Sequence, residues 1–167
     1  MDTWERPKIN IPKTKSEWIW DFIGFSFFKG SIILLAFIWT RLPQKVPMHF
    51  NTQGEIDGWG SKATLLILPS IGVFTALMMY AFEKSPGLFN YPKRFNESNA
   101  AQFYLHSRKL INQVKNICLM IFALILFETV SISLGWWGGS GIWLLPGLLL
   151  MIIIPIGLGI YRQSQIK

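Results

Sequence analysis

The stretch Leu42-Pro43-Gln44-Lys45-Val46-Pro47-Met48-His49-Phe50-Asn51-Thr52-Gln53-Gly54-Glu55-Ile56-Asp57-Gly58-Trp59-Gly60-Ser61-Lys62 lies between two runs long enough to cross a bilayer. A plain linker needs only a few polar residues to turn. This one is dense in His, Asn, Asp, Lys, Gly and Trp. Working outward, apolar runs cover 22–40 and 63–82 on either side of it, and 117–134 and 142–161 further along. Each approaches or reaches the roughly 20 helical residues that span about 30 Å of hydrocarbon. The runs are continuous rather than alternating, which favours helices over a closed sheet. Hydrophobic residues make up 51% of the 167, and mean hydropathy is +0.35, more apolar surface than a soluble domain of this size hides. The expected fold is therefore all-α: a polytopic membrane protein of four transmembrane helices with a structured extracytoplasmic loop between the first two. Residues 1–16 read as a cytoplasmic tail and 17–167 as one membrane domain.

Charge sets the expected orientation. Lys and Arg number four before the first span (Arg6, Lys8, Lys13, Lys15) and three in the first loop (Arg41, Lys45, Lys62). The second loop carries six, the third none, and the C-terminal tail Arg162 and Lys167. The positive-inside bias places both termini and the second loop in the cytoplasm of a cell-membrane protein, with the 42–62 loop outside. The net charge of +7 is spread along membrane flanks, so lipid surface rather than nucleic acid is the expected partner. The polar first 20 residues, with Pro7 and Pro12, are unlike a cleaved signal. Cys118 is the single cysteine, so no intramolecular disulfide is possible.

Along the chain, Trp18 and Trp20 mark an interface, and Lys29 falls near the middle of the first span. Ser61 is a natural N-cap for the second span, and Pro69 is expected to bend it. Asn96 is expected to cap a helix from 97 to 134, continuous or bent, with no breaker before the third span. Its apolar positions include Ala100, Phe103, Tyr104, Ser107 and Leu110, with Arg108, Lys109, Gln113 and Lys115 on other faces. That basic stretch could hold a cytoplasmic regulator or simply face lipid. No internal repeat suggests a transporter of inverted halves.

Pro43 and Pro47 stiffen the first loop, and Gly54, Gly58 and Gly60 permit turns. The reading is a folded cap that gathers His49, Asn51, Asp57 and Lys62. In this cap the string Leu42-Pro43, Val46-Pro47, His49-Phe50-Asn51, Gly54, Asp57-Gly58-Trp59 and Ser61-Lys62 resembles a bacterial membrane family of unknown function. That family forms the first half of Sdp-type immunity proteins. The later Asn90-Tyr91-Pro92, Asn96 and Asn99-Ala100 are similar to the same family, and together the resemblance covers about residues 26–115. Its described members protect producers from a secreted antimicrobial peptide and signal to a repressor. The resemblance thus implies an antimicrobial peptide as ligand, and the loop's own residues His49, Asn51, Gly54, Asp57, Trp59 and Lys62 are the expected ligand-binding set.

Other chemistry is thin. Zinc wants three or four N, S or O ligands, and His106, the other histidine, falls on the opposite side of the membrane from His49, so no metal or cofactor is expected. His49 with Asp57 could handle protons, since imidazole titrates near neutral pH. Asp57 could equally pair with Lys62 or Arg41. Within the spans, Lys29 and Glu128 come to similar depth and are expected to pair, with Asp21 completing a polar track. Ser131 and Ser133 have no base nearby, and serine-hydrolase, zincin and phosphate-loop motifs are absent. The expectation is a non-enzymatic membrane protein that binds a peptide or amphiphile at its outer loop and so confers immunity. The alternatives are a small transporter or proton path through Lys29 and Glu128, or a membrane scaffold for a cytoplasmic regulator.

Overall fold

The structure is a computed structural model that describes residues 6–167. Four helices run up, down, up and down: α1 (Lys15–Ile38), α2 (Ile67–Lys84), α3 (Ala100–Ser133) and α4 (Leu144–Ser164). Each lies in a segment long and apolar enough to cross a membrane, and the chain is a multi-pass membrane protein. One feature is not helical. The loop after α1 folds into an antiparallel pair of strands, β1 (Lys45–Phe50) and β2 (Ile56–Ser61). One end of the bundle thus carries this hairpin and the α3–α4 turn. The other carries the termini and the α2–α3 loop.

α3 is the hub, packed against all three other helices, while α1 and α2 barely touch. Its buried seam changes character along its length. From Ser107 to Asn116 the seam is polar (Ser107, Asn112, Lys115, Asn116), and from Ile117 to Leu126 it is apolar (Ile117, Leu119, Ala123, Leu126), with Val130 further on beside the buried polar Glu128, Thr129 and Ser131. At the apolar end Leu126 and Val130 meet Leu35 and Ile38 of α1, together with Leu42, Val46 and Leu65. Val46 is fully buried, so the base of the hairpin is part of the core. Small residues set the helix spacing. A Cβ on Gly24 would fall within 2.4 Å of the Asn116 side chain, and one on Gly72 within 2.4 Å of the Phe28 ring. α4 is joined more lightly, through Gly159 against Leu110 and the His106 Nε2 contact to the Gly159 carbonyl at 2.9 Å.

Helix ends depart from expectation in several places. α1 begins at Lys15, where Glu17 Oε2 accepts both the backbone N–H and the hydroxyl of Thr14. Ser61 does cap, but it caps a 3₁₀ turn, Lys62–Leu66, ahead of α2. Pro69 consequently sits in the first turn of α2, where its missing N–H is one of the donors that a helix start leaves unpaired anyway. Asn99, not Asn96, is the N-cap of α3; Asn96 instead accepts from Ser98 in the turn before it. The segment before α1 is tied down, with Arg108 donating to the carbonyls of Ile11 and Pro12.

Candidate functional site

The hairpin owes its form to three glycines, each used differently. Gly54 at the tip has φ 78°, the left-handed region that glycine enters freely. Gly58 and Gly60 lie in β2 with no positive φ, contrary to the turn role expected of them. They give room instead: a Cβ on Gly58 would come within 2.9 Å of the His49 Cβ, and one on Gly60 would overlap the Met48 sulfur. Met48 and His49 also lie where the strand register slips, so their side chains are aimed off the regular pleat. Asn51 organises the tip. Its Oδ1 accepts the N–H groups of Gln53 and Glu55, at 3.0 and 2.9 Å, and its Nδ2 donates to Glu55 Oε2.

His49 Nδ1 stands 2.5 Å from Asp57 Oδ1 across the pair. Both side chains are well exposed. This is the contact at the heart of the expected set. Lys62 is not part of it. Its ammonium donates to the Trp39 carbonyl at 3.1 Å and lies over the Trp39 ring, fastening the end of the hairpin to the end of α1. Trp59 is 60% exposed on β2, opposite Pro47. Six expected residues thus divide three ways: His49 and Asp57 pair, Asn51 and Gly54 shape the tip, and Trp59 and Lys62 lie outside that pairing.

The tip leans on the other loop at its end. A Cβ on Gly54 would fall 2.1 Å from the Gly141 carbonyl carbon, so the two glycine backbones are in direct contact. Gly141, with φ 56°, opens the turn into α4. Glu128 anchors this α3–α4 turn: its carboxylate accepts the Ser140 backbone N–H and, at 3.2 Å, the Ser140 hydroxyl. Beneath the bridge lies a groove of about 530 Å³. Its rim holds His49 and Asp57, and its walls include Phe50, Ile125, Leu145 and Leu148.

The expected pairing of Lys29 with Glu128 is overturned. Lys29 is exposed on α1, whereas the Glu128 carboxylate is turned to Ser140. The snorkelling reach of a lysine stem gives Lys29 its own route toward polar surroundings. Asp21 likewise does not form a track with Lys29. It belongs to a buried network at the termini end, which the sequence reading missed. Asp21 Oδ1 takes hydrogen bonds from Asn112 and Asn116, both 2.8 Å, and Lys115 Nζ lies 3.0 Å away. Lys115, 1% exposed, also pairs with Glu83 of α2 at 2.6 Å, and Lys13 closes on Asp21 from outside. One turn away, Arg108 pairs with buried Glu17 at 2.7 Å. Three acids (Glu17, Asp21, Glu83) meet three bases (Lys13, Arg108, Lys115) and tie α1, α2 and α3 together. Arg108 and Lys115, expected on an outward face, therefore face inward. The spacing Asn112-x-x-Lys115-Asn116 was the available signal, since i, i+3 and i+4 share one helical face. Polar residues on such a face ordinarily read as surface.

Among the described residues, no group of three or more His, Cys, Asp or Glu is placed to hold a metal ion. Residues 27–73 match the family model for a Domain of unknown function (DUF1648). That match runs from the middle of α1 through the whole hairpin into α2, so the groove's rim lies inside it. The segment around Asn90–Asn99, also expected to share the resemblance, lies beyond the matched residues. The chain is similar as well to an uncharacterized protein of Archaeoglobus fulgidus, 27% identical over 125 residues, covering 69% of this chain and 67% of that one. No solved structure matches.

Proposed function

We propose that this protein is a non-enzymatic receptor in the cell membrane that takes an amphiphile, in particular a membrane-active antimicrobial peptide, into the groove under its hairpin. The carrying observation is that groove: apolar walls from α3 and α4 under a polar rim of His49 and Asp57. A molecule with an apolar face and a polar or cationic group fits both parts at once, and burial of its apolar face supplies about 25 cal/mol per Å² covered. The resemblance of the hairpin string to Sdp-type immunity proteins supports immunity as the outcome. Positive-inside counting supports a hairpin facing outward, where such a peptide arrives. A transport path through Lys29 and Glu128 has lost its pair. A regulator docked through Arg108 and Lys115 would have to reach charges that are turned inward.

The test is growth of a sensitive host expressing the full chain, challenged with membrane-active peptides. Wild type is expected to raise the inhibitory concentration of at least one peptide. Leu145→Asp, which puts a charge in the groove wall, and Gly54→Ala, which forces the hairpin and the α3–α4 turn apart, are each expected to abolish that protection at equal expression. Protection that survives both substitutions would remove the groove from the function.

A further inference from the structure

The termini end holds a second built cavity, independent of the groove and of the receptor reading. It has a volume of about 640 Å³ and lies between the segment before α1 and the turn after α2, Pro86–Leu88. Arg6, Lys8 and Lys84 line it, and among the described residues no carboxylate does. Among the described residues neither Lys8 nor Lys84 has an ion-pair partner, although Lys84 lies over the Tyr80 ring. Arg6 anchors the wall: Nη1 donates to the carbonyls of Gly87 and Phe89, both 2.6 Å, and the guanidinium lies over the Tyr91 and Phe95 rings.

The decisive residue is Tyr104. It lines the same cavity, is 2% exposed, and its hydroxyl has no hydrogen-bond partner among the described residues. That hydroxyl lies against Gly87, where a Cβ would come within 3.5 Å of it. A buried hydroxyl left unpaired is costly, so an acceptor placed here would satisfy it. Three cations and one orphan donor, with no acid among the described lining residues, suit an oxyanion. The surroundings narrow the class. The cavity sits where α2 leaves its span, and Leu88, 79% exposed, stands beside it as an apolar contact for a chain that continues into the bilayer.

We propose that this cavity binds a phosphate-bearing anion, with Lys8 and Lys84 supplying charge and the Tyr104 hydroxyl donating to a phosphate oxygen. Two sources share that chemistry, an anionic phospholipid headgroup and a free phosphate ester, and one experiment separates them. Full-length protein in a nonionic detergent is titrated with phosphatidylglycerol or phosphatidylcholine, retention is read by native mass spectrometry, and glycerol 3-phosphate serves as competitor. Phosphatidylglycerol is expected to bind about tenfold tighter than phosphatidylcholine, and the Lys8→Gln/Lys84→Gln variant to lose about that factor. Tyr104→Phe keeps the ring and its packing, and is expected to weaken phosphatidylglycerol binding without lowering the unfolding temperature. Competition by glycerol 3-phosphate assigns the site to free esters as well as lipid; no competition assigns it to lipid alone. Equal retention of the two lipids by wild type, or unchanged phosphatidylglycerol binding in both variants, overturns the proposal.

Discussion

Lys115 shows most sharply how a single side chain can organise a helix bundle. Its ammonium is almost wholly buried, yet it touches a carboxylate from each of two other helices. Charge within a low-dielectric bundle persists only when paired, and removing one partner leaves the others uncompensated. Lys115→Ala is therefore expected to lower stability by about 3–5 kcal/mol, read as a fall in unfolding temperature in detergent. The double change Glu83→Gln and Lys115→Met removes one charge of each sign, leaves Asp21 paired with Lys13, and is expected to recover part of that loss. If Lys115→Ala unfolds like wild type, the network contributes nothing. Gly54 makes the same point for backbone: only a residue without Cβ can lie against Gly141, which is why its substitution tests the groove.

At the scale of elements, the hairpin and the α3–α4 turn act as one lid held by one carboxylate. Glu128 is buried at the foot of that turn and accepts from Ser140 twice. Glu128→Ala leaves both Ser140 donors without their partner, an expected cost of about 1–3 kcal/mol. Hydrogen exchange at residues 135–143 is expected to quicken while amides in the middle of α2 keep their protection. Equal protection in both regions would mean that the turn holds itself. Glycine in a loop ordinarily marks a bend, but the glycines of β2 make room for Met48 and His49, which only the facing strand reveals.

Across the whole molecule, polar and apolar work is divided between the two ends. The hairpin end is closed by an apolar core under β1, and the termini end by balanced charge, with Arg94 also binding the carbonyls of Gln163 and Ile166 at the end of α4. Orientation is open to direct measurement. With Cys118→Ser as background, Thr52→Cys is expected to react with an impermeant maleimide in intact cells, and Lys93→Cys only after lysis. The opposite pattern would turn the hairpin toward the cytoplasm and remove the receptor reading.

The sequence alone determined the four spans, a third helix that extends past its span, and the order of the loop that caps the bundle. Those properties follow from local facts: long apolar runs need helix in a bilayer, and prolines and glycines punctuate a loop that must hold a shape. Which charges meet was decided by tertiary packing. Lys29 and Glu128 matched in depth, but depth along a helix says nothing of the direction in which a side chain points around it. Lys29 turned outward, Glu128 turned to Ser140, and Lys115 found Asp21 and Glu83 from helices far away in the chain. A contact between residues some 90 positions apart is set by how the helices rotate against one another, and that rotation is settled only when the whole seam of α3 packs.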